Sequence, residues 1–153
     1  MDKECLEIER KFLVRNLDFI EESFDSYEIK QGYLSVNETS TVRVRVCGDK
    51  GFITIKGRST DNGISRREWE YEIPYTHAEE LLQLCSANII EKTRYLVKVN
   101  DFMWEIDVFS KPINMIVAEV ELENKDVYIP KPSWIGEEVT GKKEYYNSYI
   151  SKL

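Results

Sequence analysis

Apolar and polar residues alternate with a period of two along most of the chain, the pattern of strands that bury one face. The runs fall at approximately 4–14, 28–36, 41–47, 52–57, 66–73, 90–99, 102–109 and 116–123. Eight such runs with short polar connections predict a mainly β, antiparallel fold. Gly48-Asp49-Lys50-Gly51, the stretch 57–63 and Asn100-Asp101 read as hairpin-like connections. Helical patterns are confined to 16–24, 77–86 and 144–152. Thr76, with Glu79 three residues on, reads as the capping box of the second. Pro130-Lys131-Pro132 marks a loop before the last helix, and residues 1–153 read as a single domain.

The alternation also sorts the charges. Glu7, Glu9 and Lys11 share a face opposite Leu6, Ile8 and Phe12. Arg43 and Arg45, then Lys56, then Lys92, Arg94 and Lys98 line the polar faces of the third, fourth and sixth runs. Glu68, Glu70 and Glu72, then Glu105 and Asp107, then Glu119, Glu121 and Glu123 line those of the fifth, seventh and eighth. In any one strand this is an ordinary solvated face. Taken together the signs segregate by strand, whereas a solvated surface usually mixes them. Eight antiparallel strands can close into a barrel that holds one small ligand. With the charged faces inward, such a barrel offers a cationic wall for a polyphosphate and a carboxylate wall for a divalent metal. Its apolar outer faces would be covered by the helices.

Composition narrows the classes further. The chain is 42% hydrophobic and 32% charged, a globular balance, with a net charge of −7. That excludes the dominant positive field of a nucleic-acid or anionic-membrane binder. No run reaches the ~18 apolar residues of a membrane span, and the first residues carry no apolar leader. Cys5, Cys47 and Cys85 are widely spaced and odd in number, which reads as free thiols of a reducing, cytoplasmic setting. The single histidine, His77, reads as a surface helix residue, so triads and histidine-built metal sites lack their usual member. Neither a P-loop nor a dinucleotide fingerprint is present. A monomer or homodimer is expected, since three short helices leave aromatic outer surface uncovered.

The sharpest local signal is Glu7-Ile8-Glu9-Arg10-Lys11. This spacing aims two carboxylates and an ammonium in one direction, and oxygen-only ligands suit Mg²⁺ or Mn²⁺. Together with QGYL at 31–34, TVRVRV at 41–46, TIKG at 54–57 and RREWEYEIP at 66–74, it resembles the CYTH family of triphosphate tunnel metalloenzymes. KTRY at 92–95, WEIDVF at 104–109, AEVELE at 118–123, WIGEEVT at 134–140 and YYNS at 145–148 extend the resemblance over nearly the whole chain. It implies an eight-stranded antiparallel barrel enclosing a hydrophilic tunnel. It implies phosphate-binding roles for Lys11, Arg43, Arg45, Lys56, Lys92 and Arg94, and metal-binding roles for Glu7, Glu9, Asp107, Glu119 and Glu121. Glu68 or Glu70 is expected to line the tunnel as well. Family members often carry an arginine just before the Tyr-Tyr-Asn segment. Glu144 stands there in this chain, which leaves Lys142 and Lys143 as open substitutes.

The resemblance points to metal-dependent triphosphate hydrolysis, with inorganic tripolyphosphate as the favoured substrate because little chain remains to recognise an organic moiety. Lys92 is the candidate to activate water. The alternatives are a class IV type adenylate cyclase, a thiamine-triphosphatase, and a polyphosphate or nucleotide binding module without turnover. Members of the cyclase branch resemble one another in a His-Phe pair upstream of the first motif, and this chain has no histidine there.

Overall fold

The computed structural model describes residues 5–153, so Glu4, the first residue of the expected 4–14 run, lies outside the described residues. Nine strands follow in order: β1 (Leu6–Val14), β2 (Asp25–Val36), β3 (Ser40–Cys47), β4 (Lys50–Gly57), β5 (Ser65–Ile73), β6 (Ile90–Val99), β7 (Phe102–Lys111), β8 (Met115–Glu121) and β9 (Ile135–Glu138). Three short helices accompany them: α1 (Phe19–Glu22), α2 (Tyr75–Leu82) and α3 (Asn147–Ile150).

The sheet order is β5-β4-β3-β2-β6-β7-β8-β1-β9, and β1 also pairs with β5. That last pairing, Leu6–Ile8 against Ser65–Arg67, closes β1 to β8 into an eight-stranded antiparallel barrel. Along β1 the edge that β5 leaves is taken up by β9, where Phe12 meets Glu138 and Val14 meets Ile135. The ninth strand was not expected, because four residues without alternation carry no period to read. Gly48 makes the β3–β4 turn at a φ of 60°, and Asn100 makes the β6–β7 turn at 55°.

Register fixes which side chains share the lumen. Gln31 faces Arg45, Lys56 faces Glu68, Arg94 faces Asp107, and Lys11 faces Glu119 across adjacent strands. Opposite parity sends Phe12, Trp104, Ile106, Ala118 and Val120 outward into the main core. Phe12, Phe19, Trp104 and Trp134 meet there edge to face, with ring centroids 5.5–6.0 Å apart. The cover on this side is not chiefly helical, as expected, but the irregular stretch from Leu122 to Trp134, which seats Leu122, Ile129 and Trp134 on the strands. Helix α2 covers β2, β3 and β4, with Ala78 fully buried.

All three helices are shorter than their sequence patterns. Phe24 N–H pairs with the Leu96 carbonyl, so the chain is already entering β2 where the first pattern continues. Helix α2 begins at Tyr75, and Pro74 replaces Thr76 at its N-cap. Pro74 is still extended, with φ −55° and ψ 138°, and its carbonyl accepts the first helical bond from Ala78 N–H at 3.0 Å. The C-terminal pattern splits into a 3₁₀ turn at Lys143–Tyr145 and α3, with Tyr146 extended between them. Lys11 Nζ donates to the Tyr145 carbonyl at 3.0 Å, while Lys11 and Arg66 both stand over the Tyr146 ring. Contacts from the barrel therefore outweigh helical propensity at that point.

Candidate active site

The lumen is a wide cavity of about 540 Å³ joined to a narrower one of about 70 Å³. Glu7, Glu9, Arg43, Arg45, Lys56, Arg94 and Glu119 line both; Lys11 and Lys92 line the narrow part, and Glu121 the wide part. Glu68 and Glu70 also line the wide part, as does an aromatic face from each of Tyr27 and Phe52. Ten of the eleven residues the sequence nominated thus meet in one space. Asp107 lies behind the wall, lining neither part.

Asp107 is fully engaged there. Arg94 donates through Nε to Oδ1 at 2.7 Å and through Nη2 to Oδ2 at 2.9 Å, and Lys92 Nζ reaches Oδ2 at 2.7 Å. Burial opposes its charge, but the two cations overcome this and hold the carboxyl far below the usual range. The geometry makes Asp107 the anchor of two cations, set apart from the carboxylates that line the lumen. Lys92 has no exposed side-chain surface. Burial, aided by Arg94 and Arg45 against the pull of Asp107, brings its ammonium down to about 7. Burial with Arg43 and Arg94 likewise lowers Arg45 to about 10, still charged at neutral pH. Arg43 Nη2 donates to Thr54 Oγ1 at 3.1 Å, and its buried Nε has no partner.

The opposite wall has the reverse problem. Lys56 reaches Glu7 at 2.9 Å and Glu68 at 3.9 Å, and Lys11 reaches Glu119 at 3.3 Å. Burial would lower Lys56, yet Glu7 and Glu9 raise it above the usual lysine range. Glu9 is left over: burial, then Glu119 and Glu7 beside it, push its carboxyl well above normal. Burial and Glu7 bring Glu68 to about 7, and burial with Glu7 and Glu105 raises Glu121.

These carboxylates fit a hard divalent ion: the donors are all oxygen, and Lys56 and Lys11 offset the crowding of Glu9 by Glu7 and Glu119 only in part, which such an ion would complete. Among the described residues no three acidic or thiol side chains converge as a ready-made ion cage. Lys56 and Lys11 draw Glu7 and Glu119 aside. That suits an ion held by one or two carboxylates together with substrate phosphate.

Several lumen residues were not nominated. Gln31, Arg66, Thr140, Tyr146 and Asn147 surround the narrow part, directly or through hydrogen bonds. Parity on β2 would have found Gln31, two residues from Tyr33; the C-terminal residues arrive by tertiary packing alone. Lys142 and Lys143 are exposed and line neither part, and Lys142 pairs with Glu137 at 3.1 Å on the surface. Gly63 (φ 91°) and Gly141 (φ 77°) touch at the rim of the narrow part, an approach that side chains would block.

A closed barrel with cations and carboxylates on facing walls could take a polyphosphate and a divalent ion side by side. The chain belongs to the CYTH domain family, whose model matches residues 6–153. It is 44% identical over 148 residues to an inorganic triphosphatase of Acetivibrio thermocellus, covering 95% of this chain and 93% of that protein. It is 36% identical over 151 residues to an inorganic triphosphatase of Nitrosomonas europaea, covering 95% and 96%. A crystal structure of an inorganic triphosphatase superposes with a TM-score of 0.67 at 34% identity, covering 96% of this chain and 95% of that one.

Proposed function

We propose that this chain is a divalent-metal-dependent hydrolase of inorganic tripolyphosphate. The observation that carries the reading is the lumen itself, where Lys11, Arg43, Arg45, Lys56, Lys92 and Arg94 share one enclosed space with a carboxylate cluster. The similarity to inorganic triphosphatases over nearly the full chain supports it.

Arg43, Arg45 and Arg94 offer planar, permanently charged donors to phosphate oxygens, and Lys11 and Lys56 add point charges. Their fixed positions neutralise charge that spreads over the terminal phosphoryl group as the bridging P–O bond lengthens. Lys92, neutral in part near pH 7, takes a proton from the attacking water at Nζ. Water oxygen bonds to the terminal phosphorus, the bridging P–O bond breaks, and orthophosphate and pyrophosphate leave. Glu7, Glu9, Glu119 and Glu121 would hold Mg²⁺ or Mn²⁺, which when bound supplies positive charge to the phosphate oxygens. Asp107 keeps Lys92 and Arg94 aimed inward and is assigned no ion.

Tripolyphosphate is preferred because the walls are charged and only Tyr27 and Phe52 offer an aromatic surface in the wide part. Among the described residues no helix is long and apolar enough to cross a membrane. The three cysteines are unpaired, which supports a reducing, cytoplasmic setting. We assign no nucleic-acid or membrane partner, and an oligomeric state of monomer or homodimer.

Phosphate release from tripolyphosphate, pyrophosphate, ATP and thiamine triphosphate, with and without Mg²⁺ or Mn²⁺, tests the reading. Metal-dependent release that is fastest from tripolyphosphate is expected. Cyclic AMP with pyrophosphate from ATP would replace it with a cyclase, and tight binding without release would replace it with a binding module.

A further inference from the structure

Gln31 sits on the lumen face of β2 with no exposed surface, between Arg45 and the C-terminal segment. Its Oε1 accepts from Arg45 Nε at 2.9 Å, and its Nε2 donates to Asn147 Oδ1 at 2.9 Å. The same Asn147 oxygen accepts from Lys92 Nζ at 2.8 Å. Arginine can only donate, so Gln31 must turn its oxygen to Arg45, and the Gln31 NH₂ in turn requires the Asn147 oxygen. The orientation of both amides follows from this chemistry alone.

We propose that Gln31 and Asn147 are positioning residues, a buried amide pair that sets the headings of Lys92 and Arg45 from the C-terminal segment. Lys92 spends one N–H on Asp107 and one on Asn147, which leaves a single direction toward the lumen, the lone pair of the neutral amine or the third N–H of the ammonium. Arg45 spends its Nε on Gln31, which leaves its terminal nitrogens for phosphate. Asn147 is the first residue of α3 and contributes no charge, so it can steer Lys92 without competing for the substrate. Without the pair, a lysine on a flexible stem and a guanidinium would each have several headings open inside the same lumen.

The inference rests on the triphosphatase reading, and the test separates the two. Steady-state hydrolysis of tripolyphosphate is measured for the wild type, Asn147→Ala, Asn147→Asp, Gln31→Leu and the double variant, with thermal unfolding giving the folded fraction. Asn147→Ala is expected to lower kcat at least about 10-fold with less than about a threefold change in KM, since a hydrogen bond to a charged group is lost. Asn147→Asp keeps the acceptor oxygen but adds a charge beside Lys92, so it should recover kcat only in part relative to Asn147→Ala. Gln31→Leu should raise KM about 10-fold as well, because Arg45 is freed, and it tests the same pair if Asn147→Ala does not fold. The double variant should be no worse than Gln31→Leu within about threefold. A folded Asn147→Ala with wild-type kcat, or losses that multiply in the double variant, would overturn the positioning role alone. An inactive wild type would overturn both readings.

Discussion

Lys56 and Lys92 are both lysines shielded from bulk water in the same lumen, yet their proton affinities diverge in opposite directions. Lys56 stands among Glu7, Glu9 and Glu68, while Lys92 has one carboxylate, Asp107, shared with Arg94 and backed by Arg45. The acids mirror this. Glu9, among Glu7 and Glu119, is pushed up, and Asp107, between two cations, is driven down. Burial penalises charge on both walls, so the neighbours decide the sign. The carboxylate wall is short of positive charge and the cationic wall short of negative charge. A metal ion and a polyphosphate are the two species that relieve both.

The largest effect should come from breaking the anchored wall. Asp107→Asn leaves Lys92 buried without a countercharge and Arg94 with only Glu105, 2.9 Å from its Nη1, which is expected to cost about 3–5 kcal/mol of stability. Urea unfolding checks this, and tripolyphosphate or phosphate should restore part of the loss by taking the place of the missing charge. If stability is unchanged, the pairing is not what holds that wall.

Breaking the other wall should separate activity from stability. Glu9→Gln keeps the shape and removes a crowded charge, so turnover should fall about 100-fold or more. Its melting temperature with chelator present should equal or exceed that of the wild type, because a carboxylate with a raised pKa destabilises the fold when ionised. Undiminished turnover would remove Glu9 from the metal site.

The two walls also set opposite pH dependences in the chelated protein. Glu68 has a folded value near 7, above its unfolded one, so its contribution is full at low pH and fades as pH rises through 7. Glu9 adds to that decline in the same direction. Lys92 has a folded value near 7, below its unfolded one, so its contribution is full above the usual lysine range and fades as pH falls through 7. Stability should therefore pass through a shallow trough near pH 7, read by thermal unfolding between about pH 5 and 10. Glu68→Gln should flatten the acidic limb, Lys92→Met the basic one, and added Mg²⁺ should fill the acidic limb. A profile that rises steadily from pH 5 to 7 would contradict the crowding of the carboxylate wall.

The smallest effect belongs to a residue outside both walls. His77 is exposed on α2, and His77→Ala should leave turnover unchanged and stability within about 0.5 kcal/mol. A shift in the pH–rate profile of that variant would bring a histidine into chemistry that the lumen assigns to Lys92.

The barrel and most of its lining were legible in the chain because side-chain direction in a strand has a period of two. Once Glu7, Glu9 and Lys11 share a face, closure of the sheet brings them to Arg43, Arg45, Lys92 and Arg94 without further information. Alternation cannot say which opposed charges touch. Asp107 carries the same parity as Glu105, yet one register position, opposite Arg94 and beside Lys92, makes it an anchor rather than a free ligand. Elements without a period escaped for the same reason: β9, the stretch from Leu122 to Trp134, and the break at Tyr146 depend on surfaces that exist only after the barrel has formed. The sequence by itself therefore determined the walls and the sign of each. Tertiary structure alone decided which charges pair in the lumen, through strand register, and the placing of Asn147, whose contacts with Gln31 and Lys92 join residues more than fifty positions apart through space that the local chain does not encode.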